Sequence, residues 1–401
     1  MARSLIVLCD GTANSIGPDL SNVAKLFRCL VQDDTQRVFY NPGVGTVGSE
    51  GWWSSRLRDA HGVFEQATGF GIDEDVGACY RFLCETYELG DRIYLFGFSR
   101  GAYAARIVAA LVHMVGLLRP DQLNLIGPLI SAYKRIGDKD GRARPEDFDN
   151  VTLFRDIAGA RLAPVHFLGV WDTVSSVIVP GRNLFGLLPG SSRLPYTRTN
   201  SSVRTVRHAA ALDERRAMFR LNRWIEEQEF HDPCQPDQPP VAQDVKQVWF
   251  AGVHADIGGG YCEAKSGLAK ITLAWMIEEA EAHGIKCMKE RVARFVLAEL
   301  GAAVIAPPSA TAPMHESLTA AWWPLEWIPK KASIRETRTS SLAGLYLPRG
   351  EPRRTRYGEH LPMVHRSVVE RMAMRGYAPV NLAEPYAVEP PISPELSPAG
   401  V

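Results

Sequence analysis

One short run of this sequence has the residue types and spacing of nucleophilic chemistry: Gly97-Phe98-Ser99-Arg100-Gly101, inside RIYLFGFSRGAYAARIVAA. A serine that attacks a carbonyl from an α/β sheet sits at a strained strand-to-helix turn. The positions two before and two after it must be small, so that strand and helix backbones can approach. Here an apolar strand pattern precedes Ser99, glycines fill both positions, and an Ala-rich helical pattern follows. A serine nucleophile needs a base and an orienting acid, which in this arrangement follow in the chain order Ser, Asp/Glu, His. Asp172 closes the apolar run VHFLGVW and His254 follows QVWFAGV, so both emerge at strand ends, as Ser99 does. Asp256, two residues beyond His254, and Asp213, in a charged stretch LDERR read as helical, are alternative acids. An oxyanion hole needs two N–H donors. The backbone N–H of Arg100 is one. The strand-end turn Asp10-Gly11-Thr12 is expected to supply the other, with Gly11 allowing close approach and Asp10 bracing the loop.

The elements that must position these residues are legible as short, near-continuous apolar runs: Leu5–Cys9, Val38–Asn41, Arg92–Phe98, Val165–Trp171 and Val245–Val253. Strands of that kind belong to parallel sheets covered on both faces. Helical periodicity lies between and after them, over Asn22–Val31, Glu74–Tyr87, Ala102–Val115, Ala209–Ile225, Leu268–His283 and Val364–Arg375. Alternating strands and helices predict βαβ units, and hence an α/β fold with a mostly parallel sheet and helices on both faces. Residues 174–206 and 288–360 break the pattern and read as lid or cap insertions within one domain over 1–382. The Pro-rich tail, 383–401, reads as disordered.

Composition narrows the function classes. Forty-five basic residues balance 45 acidic ones, which removes the basic footprint expected of a nucleic-acid binder. An apolar content of 46% at zero net charge excludes a disordered chain. The seven cysteines form no C-x-x-C pair and fit reduced, buried thiols. The N-terminal apolar run, Leu5–Cys9, is too short for a signal peptide and the longest one, Ile107–Leu118, too short for a bilayer span, so a cytoplasmic location is expected. LCDGT lacks the first aspartate of an aspartyl phosphatase turn, because Leu8 stands there. The Gly258-Gly259-Gly260 stretch lacks the spacing of a phosphate loop before Lys265-Ser266. Neither metal nor nucleotide cofactor is expected. The run Ala321-Trp322-Trp323-Pro324-Leu325-Glu326-Trp327 before Lys330-Lys331 is either a lid segment packed at the active-site edge or an interfacial anchor making transient contact with a membrane surface, and Trp52-Trp53 adds a second aromatic pair.

Assembled, these motifs resemble the uncharacterised α/β-hydrolase domain family that includes the catalytic domains of type VI secretion phospholipase effectors. The resemblance is carried by Asp10-Gly11-Thr12, Ser21-Asn22-Val23, Gly43-Val44-Gly45-Thr46, GDRIYLFGFSRGAYAAR (90–106), FLGVWDTV (167–174), RHAAALDERRAMF (207–219), WFAGVHADIGGGY (249–261) and VHRSVVERM (364–372). It implies an esterase with Ser99, Asp172 and His254 as its triad, acting on a lipid or small-molecule ester. A thioesterase or small-ester esterase, and a non-catalytic binding protein on the same fold, are the alternative readings.

Overall fold

A computed structural model of the chain describes residues 2–11, 19–43, 71–136, 144–174, 178–179, 190–191, 194–299, 305–331, 345–374 and 376–389. Eight strands form its main sheet: β1 (Ser4–Cys9), β2 (Gln36–Asn41), β3 (Arg92–Phe98), β4 (Val165–Trp171), β5 (Val203–Ala211), β6 (Asp244–Phe250), β7 (Met363–His365) and β8 (Ala387–Glu389). Their order is β8-β7-β6-β5-β4-β3-β1-β2, and every neighbouring pair is parallel. After β2 the chain crosses back over β1 and builds outward from β3. The order therefore reverses between β1 and β3, and the crevice at their carboxyl ends is where ligands enter open α/β sheets.

Strand side chains alternate between two apolar cores. Leu5 and Val7 of β1 and Ile93 and Leu95 of β3 face one core, with α2 (Ile72–Thr86), α3 (Arg100–Met114) and α4 (Ile126–Lys134). Ile6 and Leu8 of β1 and Tyr94 and Phe96 of β3 face the other, with α1 (Asn22–Cys29) and α7 (Gly267–Ala282). This double covering is why the strands read as unbroken apolar runs rather than alternating ones. Helix α3 is buried on nearly every side, as its all-round apolar pattern requires.

The structure departs from expectation in several places, and the expected helix Val364–Arg375 begins as the last residues of β7. The stretch expected as a helix over Ala209–Ile225 begins as the last residues of β5, a central strand, and the described residues after it form no helix. Its alanines carry helical propensity, but pairing with β4 on one side and β6 on the other outweighs it. Among the helices that went unread are α4 and α5 (Pro145–Ala158); α5 buries only Val151 and Ala158, so its apolar stripe is faint. The tail, expected to be disordered from 383, instead contributes β8 as an edge strand. Pro385 precedes that strand without interrupting its ladder, and the Ala387 N–H donates to the Pro362 carbonyl at 2.9 Å. Residues 390–401 lie outside the described residues.

Candidate active site

Ser99 occupies the turn between β3 and α3 with φ +58° and ψ −121°, a backbone conformation that side chains other than glycine rarely adopt. The glycines around it are sterically required. A Cβ on Gly97 would stand 2.5 Å from the Gly101 carbonyl oxygen, and one on Gly101 would stand 2.2 Å from the Cys9 carbonyl oxygen. The tip of the turn is thus pressed against the end of β1.

His254 opens the short helix α6 (His254–Gly258) after β6, and Asp172 follows β4 with φ +37°. Their side chains meet that of Ser99 across the sheet edge. The His254 Nε2–Ser99 Oγ distance is 2.8 Å, and the His254 Nδ1–Asp172 Oδ2 distance is 2.5 Å. Asp256 does not reach His254: it bonds His315 Nδ1 at 2.6 Å and the His315 backbone N–H at 3.1 Å. Asp213, which lies in a loop after β5 rather than in a helix, accepts from the Gly252 N–H at 2.7 Å and the Tyr377 hydroxyl at 3.0 Å. Of the three carboxylates weighed, Asp172 alone touches the imidazole.

Burial and charge set the protonation states. Asp172 is fully buried. Burial alone would raise its pKa, but the Arg353 guanidinium and His254 outweigh that and hold it well below the usual carboxylate range. Burial pushes the His254 pKa below its ordinary 6.5, against the opposing pull of Asp172, which favours a neutral imidazole near pH 7. Glu214 is a further buried acid. It accepts the His254 backbone N–H at 3.1 Å, and Arg216 holds its pKa down at about 2 despite burial.

In the strand-end loop expected to complete the oxyanion hole, the described residues are Asp10 and Gly11. Asp10 accepts from the Ser21 hydroxyl at 2.5 Å and the Tyr40 hydroxyl at 2.8 Å. It also takes the Gly11 N–H, at 2.7 Å, so that amide serves the loop. Thr12, Val44–Thr46 and Trp52-Trp53 lie outside the described residues. The Arg100 backbone N–H begins α3, where helix amides lie beyond the i→i−4 ladder, and its side chain is buried.

Aromatic rings wall the imidazole. Phe98 lies 4.6 Å from it, and Phe219 meets it edge-on at 4.7 Å. Phe219 in turn meets Trp322 edge-on at 5.4 Å, within a small apolar cluster with Val174, Met218 and Leu318. Trp322 therefore packs at the site's edge, as a lid residue would, while Trp323 and Trp327 are exposed. Among the described residues no group of three or more His, Cys, Asp or Glu side chains is placed to hold a metal ion. No helix among them is long and apolar enough to cross a membrane.

Three residues here escaped sequence reading: Glu214, Phe219 and Arg353. Glu214 adjoins Asp213 in the run already singled out, and only the turn of the loop decides which carboxylate faces His254. Arg353 lies in a Pro-rich stretch with several arginines and carries no local signal.

Comparison with known proteins places the chain. An uncharacterized protein of Saccharomyces cerevisiae is 32% identical over 230 residues, which are 54% of this chain and 32% of that protein. The crystal structure of an uncharacterized protein from Pseudomonas aeruginosa is 22% identical, covering 72% of this chain and 46% of the other, at a TM-score of 0.38. The structure of the Tle1 effector bound to the VgrG spike from the Type 6 secretion system is 20% identical, covering 67% and 53%, at a TM-score of 0.30. The chain spans about a third of the yeast relative's length and about half of each of these structures. The profile of one family matches residues 3–279. The chain belongs to that family, the catalytic domain of Tle1-like phospholipase effectors of the type VI secretion system.

Proposed function

We propose that the chain is a serine hydrolase that cleaves a carboxylic ester of a lipid, with Ser99 as nucleophile, His254 as general base and Asp172 as its orienting acid. The observation that carries this reading is the unbroken relay from Ser99 Oγ to His254 Nε2 and from Nδ1 to Asp172 Oδ2, at 2.8 and 2.5 Å.

An ionised Asp172 can only accept, so the Nδ1 proton faces it and the Nε2 lone pair faces Ser99. Nε2 takes the hydroxyl proton as Oγ bonds to the ester carbonyl carbon. The carbonyl oxygen becomes an oxyanion beside the Arg100 N–H at the start of α3. The imidazolium, steadied by Asp172, gives its proton to the departing alkoxide, leaving an acyl-serine. Water then loses a proton to Nε2 and attacks the acyl carbon, and Ser99 leaves with the returned proton. The apolar Phe219–Trp322 wall beside His254 suits an acyl chain better than a charged one. Membership of a phospholipase effector family supports the lipid substrate.

The test is labelling with a fluorophosphonate probe, wild type beside Ser99→Ala, with the modified peptide located by mass spectrometry. Labelling at Ser99 that vanishes in the variant is expected, together with faster hydrolysis of phospholipid vesicles than of soluble short-chain esters. A folded wild type that takes no label would overturn the reading.

A further inference from the structure

Arg353 reaches the site from a segment far beyond the family-matched residues 3–279. Its guanidinium grips Asp172 with two nitrogens, Nη1 to Oδ1 at 2.6 Å and Nη2 to Oδ2 at 3.0 Å. The same two nitrogens donate to the carbonyls of Ala211, at 3.2 Å, and Phe219, at 2.5 Å. Asp172 Oδ1 is completed by the Ala211 N–H at 2.9 Å. Both partners are buried, Asp172 wholly and the Arg353 side chain to all but 9%. A planar fork fixes the plane of a carboxylate in a way a single point charge does not.

We propose that Arg353 is a positioning residue of the triad: it keeps the buried Asp172 ionised and aims its Oδ2 at His254 Nδ1. The proposal rests on the triad reading above. Its logic is that of an acceptor that must not become a donor. A carboxyl group with no solvent contact and no counter-charge tends toward its protonated form. A protonated Asp172 would offer its hydrogen to Nδ1, place the imidazole proton on Nε2, and leave Ser99 facing a donor instead of a base. The fork prevents that inversion, and through the Ala211 and Phe219 carbonyls it fastens the loop carrying Glu214 and Phe219 against the imidazole.

The charge has a second effect. The groups facing His254 are Asp172 on Nδ1, Ser99 on Nε2, Glu214 on its backbone N–H, the Arg216 guanidinium stacked over Phe219, and the Asp256–His315 pair on and against α6. Arg353 draws on the negative charge that would otherwise stabilise an imidazolium. Without it the base protonates at higher pH, and the acid limb of activity moves upward.

The experiment measures fluorophosphonate labelling rates of folded wild type, Arg353→Met and Arg353→Lys from pH 4.5 to 9, over a range of probe concentrations, alongside thermal melts. Arg353→Met is expected to label about a hundredfold more slowly at saturating probe, as a misplaced catalytic group does. The concentration for half-saturation stays unchanged, and the acid limb moves to higher pH. Arg353→Lys restores the charge but not the fork, so it returns the limb to its wild-type position while recovering only part of the rate. If Arg353→Met does not fold, Arg353→Lys carries the test alone, and a wild-type rate in that variant overturns the proposal. A folded Arg353→Met with a wild-type rate, or a slowed one whose limb stays in place, also overturns it and leaves the triad standing. A wild type that takes no label removes the triad and this proposal together.

Discussion

Replacing Gly101 with alanine tests the packing at the Ser99 turn more sharply than removing the serine hydroxyl. The added methyl would lie 2.2 Å from the Cys9 carbonyl oxygen and 2.4 Å from that of Asp10. Both obstacles are backbone at the end of β1, held on either side by β2 and β3, so neither can rotate away as a side chain would. Helix α3 must retreat from the sheet by roughly 1 Å, and a displacement of that size in a catalytic group costs about a hundredfold in rate. Overpacking of a filled interior adds a loss of about 1–3 kcal/mol in stability. Gly127 in α4 is the control, since a Cβ there meets nothing within 4 Å. Alanine at 127 should be neutral or stabilise by up to about 1 kcal/mol through helix propensity. Fluorophosphonate labelling rates and urea melts of Gly101→Ala, Gly127→Ala and wild type separate the two. A Gly101→Ala protein that labels at the wild-type rate would refute the claim that contact between α3 and the β1 end sets the position of Ser99.

Asp172→Asn should lower the labelling rate by about four orders of magnitude, because an amide lets the imidazole settle in the wrong tautomer. Asp256→Asn should keep most of its labelling, since that carboxylate serves His315; equal losses in the two variants would reverse the assignment. Burial pushes the pKa of His208 down to about 3, and those of His113 and His365 to about 4. Their folded values lie below the unfolded 6.5, so the unfolded chain takes up protons that the folded one refuses, and stability is lost as pH falls. Each contributes about 2 kcal/mol of destabilisation between pH 7 and 5. Urea melts at the two pH values should differ by several kcal/mol, and equal midpoints would show that these histidines charge in the folded state.

The Ser99 turn was readable because its demands are local. Strand, turn, helix and both glycines fall within 23 consecutive residues, Arg92–Met114, and the steric reason for each glycine is met by its neighbours or by β1. Asp172 and His254 were readable for a related reason, since each closes an apolar run whose end must lie on the same sheet edge. Strand β5 was not, because nothing in RHAAALDERR separates a buried strand from an amphipathic helix until β4 and β6 flank it. The choice among Asp172, Asp256 and Asp213 was equally closed to inspection. It depends on which carboxylate faces a ring nitrogen, a matter of ångströms that neither the 82 positions separating Asp172 from His254 nor the two separating Asp256 from it reveal. The Gly11 amide illustrates the converse error. A glycine at a strand end is free to approach a substrate, yet here its N–H is consumed by the side chain of the preceding residue.

The wholly parallel sheet also sets the order in which this site can come into being during synthesis. Parallel neighbours are joined only by crossovers, so each ladder waits for a helix or loop to return the chain. Ser99 is synthesised 155 residues before the imidazole it bonds, and Asp172 stands 82 residues before it. A ribosome halted between Ser99 and His254 releases a product with the strained serine and without the imidazole that bonds it. On the proposed reading, incomplete products lack the base, and the relay is complete only once the chain has passed the sixth strand of the sheet.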